Sequence, residues 1–561
     1  MQKFIPYIYI AFFLWNIRPA FGQEFTLKIS GKDSIHSVFL NSIKYQTIHK
    51  TEFSLRESLD SIKNKLEEKG FLNYTLDTLT KNDSIYDATF NLGNLRNVVR
   101  IYYEDKEISK EQLFNITSLV TDNYINIQID QLSETLNSIV EIFENQGKSF
   151  TEVSLKNIIL KKTFIEATLE IKKSDARKID KIVINGYENF PRAYLDHFLQ
   201  LKNNTLFNRV KLDKASGLIK TLPFVSEIKP PEILFTKDST IVYLFLKKEV
   251  SNKFDGLIGF TSKETGSGVS FNGYLDLSLN NIFNSGESFS LFWKNNGNER
   301  QDFTLSTSIP FFFNTGFSIN AALNIYKQDS TFVNTKTKFT IPYLLNEKHA
   351  IGLSFQTESS SNLLENSSSS DILDFSTFFY GVNYNYQISN QNTLFPIKLK
   401  INTELLTGGR KIDGNFNQQL RIYLKSHYLW SLNLRNHFFI QNESSTLLSD
   451  SFLINELFRI GGVNSIRGFN EESILASTYS FFTVEYRFST NNSSYLYSIT
   501  DLGYFDNRNI NRSSQIYSLG LGYAFRTKLG LLNLSYAIGK LSDQQFDLNN
   551  SKFHIKVISF F

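Results

Sequence analysis

The sequence predicts an α+β N-terminal half of three small repeated modules, followed by an all-β, 16-stranded antiparallel transmembrane β-barrel. Up to residue 250, short strands alternate with stretches of helical spacing. From residue 251 the helical spacing ends, and segments of about ten residues alternate apolar with polar side chains between polar turns, as in transmembrane barrels. The chain also holds 52 Phe and 27 Tyr among its 561 residues, and aromatic residues favour strands.

The N-terminus has the pattern of a secretory signal peptide over residues 1–22. Lys3 precedes a nearly all-apolar run, 4–15, and the small residues Ala20 and Gly22 stand where a signal peptidase reads, just before Gln23. A transmembrane anchor is the alternative, but this run is short for the ~20 residues that a membrane-spanning helix needs. We therefore expect an exported chain.

Residues 23–250 divide into three related modules, with boundaries at 23–94, 95–175 and 176–250. The third has the clearest β-α-α-β-β order, with elements at Lys181–Gly186, Arg192–Leu199, Val210–Leu222, Val225–Leu234 and Thr240–Lys247. The second follows the same order, with elements at Val98–Tyr103, Lys110–Leu119, Ile129–Asn145, Glu152–Leu160 and Phe164–Lys172. The first is irregular, because the segment from His36 to Thr51 does not fit the repeat.

Each module is expected to carry a small sheet with an open edge. An extended peptide can add to such an edge through main-chain hydrogen bonds, with little dependence on its side chains. This property suits the handling of many different unfolded chains. A spacer or scaffold is the alternative interpretation of the repeat.

Residues 251–561 form the predicted barrel. One face of the segment 517–526 is apolar and the other carries small or charged side chains, as a wet lumen requires. The two sets are Tyr517, Leu519, Leu521, Tyr523 and Phe525 against Ser518, Gly520, Gly522, Ala524 and Arg526. The count of such segments is about sixteen, an even number as bacterial barrels have.

The two ends of this region predict a seam between the first and last strands. The chain ends on Phe560 and Phe561, so the last strand can close onto the first and remove both open edges. Gly256 and Gly259 lie in the first strand, and glycine weakens strand pairing. The seam is therefore expected to open easily, although ordinary barrel curvature explains these glycines equally well.

A long segment at 449–477 contains the sharpest motif, Ile466-Arg467-Gly468-Phe469. It is too long for a simple turn, and we expect it to fold into the lumen. In the strands that follow, Glu485 and Asp501 fall on lumen positions, where either carboxylate would give Arg467 a charge-assisted partner. Phe469 or another aromatic side chain of the wall would add a cation–π contact.

The sequence gives little support for catalysis, metal or cofactor binding, or nucleic-acid binding. The chain has no cysteine, its seven histidines show no metal-ligand spacing, and no nucleophile motif is present, so we expect no enzyme, metal or cofactor. The net charge of +4 gives no argument for nucleic acid. A basic patch on the lumen face is interpreted as a solvated wall balanced by loops, with attraction of an acidic client or of lipid headgroups as the alternative. Its members are Lys398, Lys400, Arg421 and Lys425.

With these residues the chain resembles the BamA/TamA superfamily of outer-membrane assembly and translocation proteins. Members carry polypeptide-transport-associated (POTRA) domains of β-α-α-β-β order, followed by a sixteen-stranded barrel whose sixth extracellular loop bears a V/I-R-G-F motif. Residues 466–469 match that motif, Glu485 matches the carboxylate that follows it, and Asp501 with Gly503 matches the family's Asp-x-Gly. Three POTRA domains resemble the layout of TamA, whereas two-partner-secretion transporters have two, after an N-terminal plug helix that this sequence lacks.

The resemblance implies an assembly or translocation factor in the outer membrane of a Gram-negative bacterium, with its N-terminal domains in the periplasm. Its expected partners are unfolded outer-membrane or secreted client proteins, outer-membrane lipid, and a periplasmic or inner-membrane protein that binds the POTRA domains. A dedicated two-partner-type secretion pore is the alternative. A passive porin is a weaker one, because it gives the modules and the motif no role.

Overall fold

The computed structural model describes residues 24–262, 269–296, 300–364, 372–390, 392, 394–527 and 530–558. The predictions of a signal peptide over 1–22 and of seam residues Phe560 and Phe561 lie outside these ranges. The chain forms two compact units. The first runs to Lys178 and includes Leu206–Arg209, and the second contains Ile179–Thr205 and everything from Val210 onward.

The first unit contains two modules of the same architecture. Module 1 (24–94) consists of β1 (Phe25–Gly31), α1 (Ser34–Ser42), β2 (Ile48–His49), α2 (Glu52–Glu68), β3 (Thr75–Asn82) and β4 (Ile85–Asn91). Module 2 (95–175) consists of β5 (Val98–Tyr102), α3 (Lys110–Phe114), β6 (Tyr124–Gln128), α4 (Leu132–Asn145), β7 (Glu152–Leu160) and β8 (Phe164–Lys172). The sheets have the orders β2-β1-β4-β3 and β6-β5-β8-β7, each with a parallel central pair.

Local sequence explains why these helices form. In α2 the buried residues Leu55, Leu59, Ile62 and Leu66 follow helical spacing and pack on the sheet of module 1. The side chain of Thr51 caps α2 by accepting a hydrogen bond from the Ser54 N–H at 3.2 Å. Helix α4 buries one face in the same manner, and α3 begins at a capping box.

The predicted β-α-α-β-β order is incomplete for modules 1 and 2. In both, a further short strand lies between the two helices and pairs antiparallel with the first strand, which gives the order β-α-β-α-β-β. The region that did not fit, 36–51, contains most of α1 and the whole of β2. The predicted helix 110–119 is shorter, because α3 ends at Phe114.

Module 3 (176–250) lies mostly in the second unit and follows the predicted order of elements, except that a π-helical turn replaces the first predicted helix, Arg192–Leu199. Its elements are β9 (Lys181–Asn185), a single π-helical turn (Tyr194–Phe198), α5 (Arg209–Ile219), β10 (Val225–Phe235) and β11 (Thr240–Lys248). The sheet has the order β10-β11-β9. Among the described residues β9 therefore pairs on one side only, in parallel with β11.

The rest of the second unit is one sheet of sixteen antiparallel strands, paired in chain order, as predicted. Strands β12 to β22 are Lys253–Ser262, Val269–Asn280, Ser288–Asn296, Arg300–Ile309, Ile319–Gln328, Phe332–Asn346, His349–Asn362, Phe375–Ser389, Ile397–Ile412, Asn415–Ser431 and Asn436–Leu448. A small hairpin outside the sheet follows, formed by β23 (Phe458–Ile460) and β24 (Ile474–Ala476). The last five strands, β25 to β29, are Thr478–Asn491, Ser494–Asn507, Arg512–Thr527, Gly530–Leu541 and Lys552–Ile558.

The sheet has inverted polarity, with polar residues inside and apolar residues outside. Along β18 the polar side chains of Ser354, Gln356 and Glu358 are buried, whereas Leu353 and Phe355 alternate with them and are exposed. A soluble sandwich would bury the apolar set instead. A sheet with this polarity is suited to lipid on its outer face and to polar contents within.

The sheet also curls into a barrel. Glu472 bonds to Arg300 on β15 at 3.2 Å, and the N–H of Gly468 donates to His554 on β29 at 3.1 Å. In a flat sheet those two strands would lie roughly 58 Å apart, given about 4.8 Å per strand. Four residues of chain span only about 14 Å, so the sheet must curl until both strands border the same lumen.

Backbone pairing between the first strand, β12, and the last strand, β29, stays a prediction. Within the described ranges, β12 pairs only with β13 and β29 only with β28. No helix among the described residues is long and apolar enough to cross a membrane.

Module 3 is fixed on the turns that join strands at one end of the barrel. The Tyr187 hydroxyl donates to Asn284 at 2.8 Å and accepts from Asn281 at 2.7 Å, both in the turn between β13 and β14. The Tyr194 ring packs edge-on against Phe311 in the turn between β15 and β16, with ring centroids 4.9 Å apart. Because antiparallel strands alternate in direction, every second connection lies at this same end.

Candidate functional site

The candidate site is the loop 449–477, which joins β22 to β25 and lies inside the barrel. These two strands pair directly with each other, so the whole loop is an insertion between neighbours. Its regular parts among the described residues are a 3-10 turn (Ile454–Glu456) and the hairpin β23–β24. Gly461 and Gly462 both have positive φ and turn the chain at the end of β23, where residues with a Cβ are strained.

Arg467 lies at the inner tip of the loop and bonds to two wall carboxylates. Its backbone N–H and Nε donate to Oδ2 of Asp501 at 3.1 and 3.0 Å, and Nη2 donates to Oδ1 at 2.6 Å. Nη1 donates to Glu485, whose other oxygen accepts from Arg487 at 2.8 Å. The structure thus brings Arg467 together with both of the carboxylates that the sequence singled out.

This cluster is almost fully removed from solvent. The side chain of Arg467 is 9 % exposed and that of Asp501 is 0 % exposed. Burial acts to lower the pKa of Arg467, but attraction to Glu485 and Asp501 outweighs it and raises the pKa, so the guanidinium stays charged. Removal of one partner would leave a buried charge without compensation, which is far more costly than the loss of an exposed pair.

The predicted cation–π contact of Phe469 is wrong. Within the described chain no aromatic ring lies over the guanidinium of Arg467; the Phe469 ring instead lies against Gly539 on β28, where a Cβ would overlap it. The neighbouring Gly468 has φ of +81° and also approaches the backbone at Gly539. Gly468 in the loop and Gly539 in the wall therefore allow the loop to pack closely against β28.

Ile466 and Gly503 belong to the apolar packing beneath the loop. Ile466 is 1 % exposed and lies in a cluster with Phe481 of β25 and Ile516 of β27. Gly503 pairs with Phe481 across the β25–β26 ladder, and a Cβ at this glycine would crowd the Phe481 side chain at 2.8 Å. The motif is thus held by charge at Arg467, by a backbone hydrogen bond from Gly468 to His554, and by apolar contact at Ile466 and Phe469.

A second buried ion pair at the base of the loop was missed by the sequence analysis. Glu456 accepts from Arg410 of β20 and from Gln419 of β21, the latter at 3.1 Å. Beside it, Asn455 donates to Ser360 of β18 at 2.7 Å. The only signal for this pair is that Arg410 falls on a lumen position of its strand, and its partner comes from a distant loop. His554 was also missed as the acceptor for Gly468, for the same reason.

Two members of the predicted basic patch are paired by the wall itself rather than by loops. Arg421 pairs with Glu358 at 2.9 Å and Lys425 with Glu443 at 2.6 Å, both across the lumen face of the sheet. Lys398 is exposed, and Lys400 has no ion pair with any residue that the structure describes. The patch is therefore only partly compensated.

The seam residues are described in part. Gly256 lies in β12 opposite Leu275, and a Cβ there would meet the Tyr274 carbonyl oxygen at 3.1 Å, so the glycine permits close strand approach. Gly259 lies opposite Asn272 in the same ladder. Their effect on opening stays a prediction.

Comparison with known proteins shows the fold. No family model and no curated protein sequence matches the chain. The structure of CdiB from Acinetobacter baumannii is similar with a TM-score of 0.51 and 14% identity, over 90% of this chain and 97% of that one. CdiB from Escherichia coli is similar with a TM-score of 0.51 and 12% identity, over 89% and 96%. BamA from Haemophilus ducreyi lacking POTRA domains 1–3 matches with a TM-score of 0.47 and 14% identity, over 81% and 97%.

The two CdiB structures cover both the modules and the barrel of this chain. At such low identity the likeness concerns architecture: mixed α/β modules followed by a sixteen-stranded antiparallel sheet. The particular likeness to the TamA layout is not tested by these comparisons and stays a prediction.

Proposed function

We propose that this chain, which has the fold of the BamA/TamA superfamily, is an outer-membrane factor that inserts or exports client polypeptides in a Gram-negative bacterium. In this proposal the barrel spans the outer membrane and modules 1 to 3 act as POTRA domains in the periplasm. The inverted polarity of the sixteen-stranded sheet supports the placement in lipid. The chain acts by binding and templating, without catalysis or a cofactor.

The observation that carries the proposal is the buried bond network of Arg467. A loop anchored by an arginine to Glu485 and Asp501 inside the lumen narrows the passage that a passive pore needs to keep open. An insertion factor must preserve the shape of its barrel while one side opens. The loop stabilises that shape because it links β25 and β26 to β28 and β29 from inside the barrel. Arg467 is then a positioning residue.

Module 3 supplies the edge at which a client strand first binds. In module 2 the first strand β5 is covered by β6, which places Ile125 and Ile127 in the core and keeps Val99 and Ile101 buried. In module 3 the corresponding strand β9 has no such cover among the described residues, and Ile182 is only half-buried. A client strand that alternates apolar and polar residues would complete this sheet as β6 completes the sheet of module 2.

A cavity of about 420 Å³ lies beside the β9 edge, lined in part by Ile182, Ile184, Phe190 and Leu195. Its lining is mixed, because Glu188, Arg192, Asp196 and Lys202 also border it, so it offers room for both apolar and polar side chains of an added strand. Module 3 is fixed to the turn between β13 and β14, close to the first strand of the barrel. A strand bound at β9 would thus be held near the seam at Gly256, where insertion into the barrel edge can begin.

The driving force needs no nucleotide. Burial of the apolar outer face of a client barrel in lipid releases free energy, and pairing with an open edge satisfies its backbone. The alternative is a dedicated secretion pore, which is favoured by the cavities that remain in the lumen beside the loop, one of them about 320 Å³. A passive porin explains neither the modules nor the loop.

Depletion of the protein, followed by quantitative mass spectrometry of outer membranes, separates these functions. The assembly role predicts that several unrelated barrel proteins fall together, that the wild type restores them, and that Arg467→Ala restores them poorly. Arg467→Lys, which keeps the charge but loses the bidentate geometry, should be intermediate. If barrels are unchanged while one exported protein accumulates in the periplasm, the chain is a secretion pore and the assembly role is wrong.

A further inference from the structure

The cavity of about 320 Å³ inside the barrel has a composition that the anchoring of the loop does not explain. Its walls come from the loop tip (Val463–Arg467), from the turn before β20, and from strands of the lumen wall. The turn residues Leu394 and Phe395 fold inward and are buried. Since this turn lies at the module-bearing end of the barrel, the cavity lies between that end and the loop.

Around the cavity, basic side chains outnumber the carboxylates that could pair with them. Lys556 lines the cavity, and Lys400 pairs across the β20–β21 ladder with His427, which also lines it. Neither Lys400 nor Lys556 forms an ion pair with any residue within the described ranges. Two lysines are thus left without a carboxylate in a partly enclosed site.

The carboxylates nearby are already engaged. Glu485 accepts from both Arg467 and Arg487, and Glu443 accepts from Lys425 at 2.6 Å and from the Tyr479 hydroxyl at 3.2 Å. Another loop carboxylate, Glu471, accepts from the Val463 N–H at 2.9 Å. Among the described carboxylates near the cavity, only Glu471 keeps a charge that no cation pairs with, and it forms no ion pair with Lys400 or Lys556, so an added anion would find both lysines available.

The remaining walls suit a peptide. The guanidinium of Arg487 lies 3.7 Å from the centroid of the Phe439 ring and 5.4 Å from that of Phe395, so the floor is aromatic and cationic together. Tyr495 and Tyr497 continue this apolar wall. The volume equals that of roughly ten water molecules at about 30 Å³ each, enough for one or two side chains and too small for a lipid.

We propose that this cavity binds the carboxylates of an acidic segment of a client polypeptide, with Lys400 and Lys556 as the cations that recognise it. This inference rests on the proposed function, since it needs a client that reaches the lumen from the module-bearing end. The client segment is expected to carry Asp or Glu next to an apolar or aromatic residue. Binding here would hold the segment against the loop tip.

Fluorescence anisotropy with labelled hexaglutamate and the full chain in detergent tests the proposal. Lys400→Gln and Lys556→Gln should each weaken binding roughly tenfold, the effect of one charge-assisted hydrogen bond. Neither change orphans a carboxylate, so both variants should fold. Lys411→Gln, which removes an exposed lysine of β20, is the matched control and should bind as the wild type does.

Two outcomes would overturn the proposal. If the two cavity variants and the control bind hexaglutamate equally, the peptide is held elsewhere. If inorganic phosphate displaces the peptide at an equal concentration of anionic groups, the site recognises phosphate rather than peptide carboxylates. Neither outcome touches the assembly role, because the depletion phenotype and the Arg467→Ala defect are measured without this peptide.

Discussion

At the scale of single residues, the loop is held by two kinds of contact that fail in different ways. Arg467 makes charged hydrogen bonds inside the barrel, so its loss leaves Asp501 buried and unpaired, at a cost of about 3–5 kcal/mol. Phe469 makes a shape contact with Gly539, so its loss leaves only a gap. The sequence identified Glu485 and Asp501 because they fall at lumen positions of regular strands, and Arg467 because it stands in the motif of the long loop.

The sequence could not identify Gly539 or Glu456. Gly539 lies among other small residues of its strand. No feature of the neighbouring sequence indicates that an aromatic ring from a loop packs against it. Glu456 pairs with Arg410 across a long sequence separation. Only the curvature of the sheet, which brings distant strands around one loop, decides these partners.

The contact between Phe469 and Gly539 predicts that a second substitution restores the stability lost through the first. Gly539→Ala should displace the ring, because the new Cβ overlaps it, and should lower the melting temperature of the barrel in detergent by a few degrees. Phe469→Ala in the same chain removes the obstacle and should recover most of that loss. If the double variant melts below both single variants, the two residues do not contact each other as described.

At the scale of elements, the sequence predicted regular strands well and short edge strands poorly. The bounds of β7 and β8 were predicted to the residue, because nine residues of clear pattern lie between polar turns. Strands β2 and β6 were missed, because they are short and lie between helices, and pairing with a distant first strand defines them. The difference between module 3 and the other two modules therefore became visible only in the structure.

The uncovered edge of module 3 predicts where a client makes contact. A photo-crosslinking amino acid at the exposed Lys181 of β9 should form adducts with client proteins in living cells. The same group at Tyr102 of β5, which is exposed but lies in a strand covered by β6, should form far fewer. Equal yields at both positions would show that the open edge of β9 has no special role in capture.

At the scale of the whole molecule, module 3 and the barrel form one compact unit, with hydrogen bonds from Tyr187 and an ion pair between Lys214 and Glu347 at 2.7 Å. A strand captured at β9 is thus kept at a fixed place beside the barrel. The loop 449–477 bonds to both β20 and β29, which lie seven strands apart in the sheet. Capture, positioning and a braced barrel are the three properties that a templating factor needs.

Client folding in reconstituted liposomes tests the assembly role most directly. Liposomes that contain the full chain would receive a urea-unfolded eight-stranded barrel protein, and its folding would be followed by heat-modifiable gel mobility. We expect the wild type and Lys411→Gln to accelerate folding several-fold over empty liposomes, and Arg467→Ala to give little acceleration. If the wild type folds the client no faster than empty liposomes, the chain does not insert barrels and the proposed assembly role is contradicted.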